Sequence, residues 1–247
     1  MAFGPGHRLF AQYVHAPNAL GYCGPAEAHA LAATACGRRS ADLTDIARKF
    51  TGAWPYQQLI AELSDAPDPL GADVVRAYWT GSELTDRIDR QRFGEALLGR
   101  FASQAGHYWK HLTPALLDEA APTHAFHVLG VYPWSRLLKT GMPQPLEVLD
   151  SCRITDGVVV DVNDERALVR SRRLRFEGTL ALAAEEDRPL RYRLAEGAFV
   201  ADLRRGDRVA VHWDFICDRL TREQANCLQH WTNWQLDRTN RRLAREQ

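Results

Sequence analysis

The sequence lacks a net charge, a leader-like start and any long apolar run. Lys and Arg total 31, and Asp and Glu also total 31, so no overall field draws the protein to nucleic acid or to an anionic membrane. The first residues, MAFGPGHRLFAQY, have no basic segment followed by an apolar stretch. No later run approaches the roughly 20 residues that a membrane-spanning helix needs. We therefore expect a soluble, cytoplasmic protein without a nucleic-acid or membrane partner.

Cysteine is also scarce, and its arrangement excludes two common roles. The five cysteines form an odd set without a C-x-x-C pair. This pattern argues against both a disulfide framework and a structural zinc site. Any cysteine with a special role is therefore expected to be a reactive or metal-binding thiol. The five are Cys23, Cys36, Cys152, Cys217 and Cys227.

The first part of the chain has the period of helices. With 247 residues, the chain can form one large domain or two small ones, and we expect two. From residue 20 to about 140, apolar residues recur at spacings of three and four. Gly24 and Pro25 predict a helix start, and Gly37 predicts its end, which makes Ala26 to Cys36 the clearest helix. Residues 1–143 are therefore predicted to form an all-helical domain.

A different pattern follows the segment KTGMPQPLEVLD, whose prolines and glycine predict a domain boundary near Gly141 to Pro145. Short β-branched or alternating runs such as GVVVDV, RALVRS and DRVAVHW come next, separated by turn residues. They predict about five strands in a small closed, OB-like β-barrel. Thr221 and Gln224 form a capping-box pattern before a final helix. The predicted fold class is α+β, with the barrel and the C-terminal helix in residues 144–247.

Two strings in this second part resemble a known family. They are SCRITDGVVVDVNDERALV and GDRVAVHWDFICDRLTREQ. Both are similar to the HypC/HupF family of [NiFe]-hydrogenase assembly chaperones, in which a cysteine lies just before the first strand and a histidine lies in a later Val-His strand. Three further strings, GYCGP, THAFHVLGVYPWSRLL and VLDSCRI, resemble an actinobacterial family. That second resemblance implies no activity.

The HypC resemblance implies a function and a ligand pair. Cys152 and His212 occupy the positions of the family's two ligands, so they are expected to hold iron that carries cyanide and carbon monoxide. The implied partners are the hydrogenase large-subunit precursor or an iron–sulfur maturation protein. A thiolate and an imidazole suit a soft, low-spin iron(II) centre, and Arg153 is a candidate to favour the thiolate. We expect Cys152 and His212 to meet at one end of the barrel, no more than roughly 10 Å apart.

A second group of chemically capable residues lies in the helical part. Cys23 directly precedes the predicted helix start, where the helix dipole would lower the pKa of its thiol. His124 and His127 have a spacing that could turn both rings toward one pocket. Together with Cys23 they could form a Cys-His nucleophile or a second metal site. A structural alternative is that Cys23 simply packs against the first helix.

Three functions remain open from the sequence. The first is a hydrogenase maturation chaperone, which is not an enzyme. The second is a Cys-His enzyme (a hydrolase, a transferase or a producer of a diatomic ligand) that uses Cys23 with His124 or His127 and requires a pocket joining them. The third is a structural adaptor, in which Cys23 and Cys152 are both buried and inaccessible.

Overall fold

A computed structural model describes residues 4–38, 43–102 and 112–246 of the chain. Helices occupy the first part, strands follow, and a long helix ends the chain, so the predicted α+β class is confirmed. The predicted helix Ala26 to Cys36 is found at Ala28–Ala35. The α-helices in the described ranges are α1 Pro5–Ala19, α2 Ala28–Ala35, α3 Leu43–Arg48, α4 Trp54–Leu63, α5 Ala72–Trp79, α6 Glu83–Arg87, α7 Arg90–Ala102, α8 His124–Phe126, α9 Pro143–Cys152 and α10 Arg222–Arg245.

Shorter turns connect some of these helices. Two 3₁₀ segments, Pro114–Glu119 and Pro133–Thr140, begin with proline, whose missing N–H would be unpaired in a first turn anyway. A π-helical stretch, His127–Val131, continues directly from α8. Such π turns are rare, and they often occur at functional sites.

The strands in the described ranges are β1 Thr155–Val162, β2 Arg166–Phe176, β3 Leu180–Arg191, β4 Arg193–Leu194, β5 Gly197–Ala198, β6 Arg208–His212 and β7 Phe215–Leu220. Five of them pair in the order β1-β2-β3-β7-β6, and β6 also pairs with β1. The pairs are antiparallel except for β3 with β7, which meet in parallel at the single pair Arg191 and Phe215. Closure of the sheet therefore rests on that one contact. The OB-like barrel stays a prediction. Strands β4 and β5 form a separate two-stranded sheet.

The change from helix to strand comes later than the Pro/Gly segment. Gly141 has a φ of 76° and ends a 3₁₀ segment, and Pro143 then starts α9. Strands begin only at Thr155. The main hydrophobic core contains side chains of α1 to α5 and α7 and also Phe215 and Trp231, so it extends across the predicted boundary. The division into independent domains at residues 143 and 144 stays a prediction.

The last helix joins the two parts of the chain. Its start has the predicted capping box, because the Thr221 side chain accepts from the Gln224 N–H while the Gln224 side chain accepts from the Thr221 N–H. Farther along, Trp231 packs against Gly81, which has a φ of 77°. A Cβ atom on Gly81 would lie 2.3 Å from the Trp231 ring. Only glycine combines that backbone conformation with so close a contact.

A buried ion pair reinforces this connection. Arg242 of α10 pairs with Glu119, and both side chains are almost completely buried. The Arg242 guanidinium also donates to the Leu129 carbonyl and the Ser135 hydroxyl, each at 2.9 Å. Glu119 accepts in addition from the Thr239 hydroxyl at 2.9 Å. We call these residues the Glu119–Arg242 cluster.

Among the described helices, none is both long and apolar enough to cross a membrane.

Candidate functional site

All five residues predicted to carry chemistry line one cavity of about 180 Å³. They come from separate parts of the chain: the loop after α1, α8, the π turn, the end of α9 and strand β6. The pocket that the enzyme hypothesis requires therefore exists, since it joins Cys23 to both candidate histidines. The five residues are Cys23, His124, His127, Cys152 and His212.

Three of the five form a tight group. One ligand atom from each of His124, Cys152 and His212 lies within 4.8 Å of the other two. All three residues are buried. The expectation that Cys152 and His212 lie close together is thus confirmed, whereas iron binding by the pair stays a prediction. Sequence spacing did not predict that His124 would join them.

The Nε2 atom of His212 has a lone pair that accepts no hydrogen bond. Its Nδ1 lies 2.7 Å from the Tyr13 carbonyl oxygen, and because a carbonyl can only accept, Nδ1 carries the hydrogen. Nε2 is therefore unprotonated in the neutral ring, and it is buried without a hydrogen-bond partner. Burial lowers the pKa of His212 to about 4, against the opposing effects of the backbone carbonyls of Tyr13 and Cys152. A neutral ring oriented by a backbone carbonyl is the usual preparation of a histidine for metal binding.

Both nitrogens of His124 are engaged. Nε2 lies 2.9 Å from the Cys152 carbonyl oxygen and must donate to it. Nδ1 lies 3.0 Å from the Tyr78 hydroxyl and, having no hydrogen in this tautomer, accepts from it. Burial, and then the neighbouring His212 and His127, lower the pKa of His124 well below its usual value. The ring is therefore neutral and held at both ends.

The Cys152 thiol is protonated at neutral pH. Cys152 is the last residue of α9. Burial raises the pKa of its thiol to about 12, with a smaller increase from Cys23 and an opposing effect of the Trp213 indole. Arg153 does not favour the thiolate as predicted. Its guanidinium instead pairs with Asp150, with Nη2 and Oδ1 3.1 Å apart, because this carboxylate lies one helical turn earlier.

The prediction of an acidic Cys23 thiol is wrong. Helix α2 begins at Ala28, and Gly24, with a φ of 77°, lies in a loop. The Asn18 side chain donates to the Cys23 carbonyl at 2.8 Å and so helps to shape that loop. Cys23 thus has no helix start beside it, and burial raises the pKa of its thiol to about 12.

His127 lines the same cavity. Burial lowers its pKa to about 3, and its Nδ1 has no hydrogen-bond partner. Gly52 lies against the other side of the ring, where a Cβ atom would come within 2.8 Å of Nε2. The ring is therefore neutral, and a glycine makes room for it.

Sequence reasoning missed the aromatic wall of the cavity. Tyr78, Trp79, Tyr132 and Trp213 line it. They give it an apolar surface around a few nitrogen and sulfur atoms, which is the usual composition of a ligand pocket. The adjacent Tyr78 and Trp79 are visible in the sequence, but nothing in their spacing assigns them to the same pocket as Cys152.

The cavity reaches the surface beside Tyr22. This side chain is 54% exposed, and its ring stacks on Trp213 with 3.9 Å between the centroids. Trp213 has a φ of 50°, and its backbone N–H donates to the Ser151 carbonyl at 2.9 Å. An exposed loop and the β6–β7 turn thus contribute one ring each to the edge of the cavity.

The chain belongs to a protein family described as a family of unknown function (DUF6390), whose model matches residues 2–246. Neither the curated proteins nor the solved structures contain a significant match to it.

Proposed function

We propose that this protein is a HypC-type [NiFe]-hydrogenase maturation factor that carries an iron fragment on Cys152 and His212. The observation that supports the proposal best is the buried, partnerless Nε2 of His212, oriented by the Tyr13 carbonyl and adjacent to the Cys152 thiol. A buried acceptor without a partner is unfavourable. A metal ion would satisfy it.

The donor set suits the proposed cargo. Iron(II) that carries cyanide and carbon monoxide is a soft centre, for which a thiolate and an imidazole are appropriate ligands. The His212 ring is already neutral, and the Cys152 thiol loses its proton to solvent as the sulfur–iron bond forms. Because burial holds that pKa near 12, metal binding must supply the driving force for deprotonation.

The cavity also has room for the ligands of the iron. Its volume of about 180 Å³ is many times the roughly 10–15 Å³ that one water molecule requires. Aromatic walls suit an uncharged carbon monoxide ligand, and they limit the access of water. In this proposal the protein acts in the cytoplasm and passes its cargo to the large-subunit precursor or exchanges it with an iron–sulfur partner.

Infrared spectroscopy of protein purified without oxygen from a hydrogenase-producing cell tests the proposal. We expect cyanide and carbonyl bands in the wild type and their loss in Cys152→Ala. Cys217→Ala is the matched control, because Cys217 is also a buried free cysteine but does not line the cavity. Wild-type protein without these bands, or bands that survive in Cys152→Ala, would contradict the proposal.

The second candidate is a Cys-His enzyme that uses Cys23 with His124 or His127. Their position on one cavity favours it, whereas the raised pKa of Cys23 opposes it, since a thiolate is the nucleophile. Alkylation rates of Cys23 measured against pH separate the two. A midpoint at or below about 8.5, the value of a free cysteine, would favour the enzyme. A midpoint well above it would favour the carrier.

A further inference from the structure

His124 stands beside the proposed ligands with its own lone pair already in use. One of its ring nitrogens belongs to the group of three atoms within 4.8 Å of one another. Because Nε2 donates to the Cys152 carbonyl, the lone pair of the ring is on Nδ1, where it accepts from the Tyr78 hydroxyl at 3.0 Å. The Tyr78 hydroxyl thus occupies the one basic lone pair that the ring has in this tautomer.

We infer that His124 is the third protein ligand of the metal and that Tyr78 is a latch that occupies Nδ1 until the metal arrives. The inference rests on the proposed function only in that a metal binds to Cys152 and His212. Entry of the metal breaks the hydrogen bond from Tyr78 and forms a bond from Nδ1. Departure of the metal restores the hydrogen bond, so the latch assists release.

The remaining contacts of His124 fit this role. The Nε2–H bond to the Cys152 carbonyl can persist in both states, and it links the orientation of one ligand to the backbone of another. His212 has the same arrangement, because its Nδ1–H donates to the Tyr13 carbonyl. Metal-bound histidines usually donate their second N–H to such a group. Two imidazoles and one thiolate leave a tetrahedral ion an open position.

Tyr78 contacts His124 through its ring as well as through its hydroxyl. It packs against the His124 ring with 5.4 Å between the centroids, at an interplanar angle of 79°. Because this packing does not depend on the hydroxyl, Tyr78→Phe removes the latch and keeps the wall of the cavity. It also leaves Nδ1 without a partner in the metal-free protein, which favours the metal-bound state.

Cobalt(II) titration of the full chain without oxygen tests the inference, with the thiolate–cobalt absorption band as the readout. We expect Tyr78→Phe to bind Co²⁺ roughly 5- to 10-fold more tightly than the wild type, the equivalent of one net hydrogen bond. Tyr56→Phe is the matched control. Tyr56 is fully buried, its ring lies 5.0 Å from Tyr78, and its hydroxyl has no partner, so its loss should leave the affinity unchanged.

Two further measurements assign the effect to His124. The gain from Tyr78→Phe should vanish when it is combined with His124→Ala. X-ray absorption of the cobalt-loaded wild type, which needs no substitution, should detect two imidazole ligands beside one sulfur. One imidazole, or a Tyr78→Phe affinity equal to that of Tyr56→Phe, overturns the latch but not the proposed function. A wild type without a band that depends on Cys152 overturns both.

Discussion

The protein contains two buried polar clusters, which differ in how completely their polar atoms are hydrogen-bonded. In the Glu119–Arg242 cluster, both carboxylate oxygens accept hydrogen bonds and every nitrogen of the guanidinium donates one. In the cavity, His212 Nε2, His127 Nδ1 and Trp79 Nε1 are buried without a partner. Buried polar groups normally find partners. The comparison indicates that the first cluster holds the fold together, whereas the second retains binding capacity for a ligand.

Removing one member of the Glu119–Arg242 cluster should have the largest effect. Arg242→Leu leaves the Glu119 carboxylate buried without its cation, and we expect a loss of about 3–5 kcal/mol in the free energy of unfolding, measured with urea. Arg241→Leu on the same helix is the control. Its ion pair with Asp237 is exposed and contributes about 0–1 kcal/mol. Equal losses of unfolding free energy in the two variants would show that the cluster does not stabilise the fold.

Acid should destabilise the protein because His127, a buried histidine of the cavity, stays neutral in the folded state. Below pH 6.5 the unfolded chain binds a proton at His127, whereas the folded chain, in which burial holds this pKa near 3, does not. The unfolded state then binds more protons, so stability falls as the pH falls from 6.5 toward 3. His127→Gln should reduce that slope by about 1.4 kcal/mol per pH unit. An unchanged slope would mean that the ring is not excluded from water.

Loss of the imidazole with the free lone pair should weaken metal binding. His212→Ala is expected to lower the affinity for Co²⁺ by about tenfold or more, or about 1.4 kcal/mol, and by less than Cys152→Ala, because the thiolate forms the stronger bond. His15→Ala is the control, since His15 is also buried but does not line the cavity. Equal affinities of His212→Ala and the wild type would place the metal elsewhere.

Opening the edge of the cavity should have the smallest effect, and it should change the rate rather than the affinity. Tyr22→Ala removes the ring stacked on Trp213, and an aromatic pair of this kind contributes roughly 0.5–1.5 kcal/mol, so Co²⁺ should enter roughly 2- to 10-fold faster. Leu20→Ala, an exposed residue outside the cavity lining, should leave the rate unchanged. Stopped-flow absorption measures both, and identical rates would show that metal enters by another route.

The capping-box prediction succeeded because its pattern is local. Thr221 and Gln224 are three residues apart, and their capping box depends only on that spacing. The error at Cys23 arose over an equally short range, because Gly24 and Pro25 indicated a helix start that lies at Ala28 instead. Burial, which residue spacing does not reveal, raises the pKa of the Cys23 thiol, whereas a helix start beside it would have lowered that pKa.

The sequence by itself determined the α+β class and the final capped helix, since periodicity and turn chemistry act between near neighbours. It also supplied Cys152 and His212 as candidate ligands. Only the tertiary structure decided that His124 lies beside Cys152 and His212. It also decided that Tyr13 and Tyr78 set the hydrogen positions on those rings. The physical reason is that contacts across 28 to 199 residues and the burial of charge depend on how the whole chain packs.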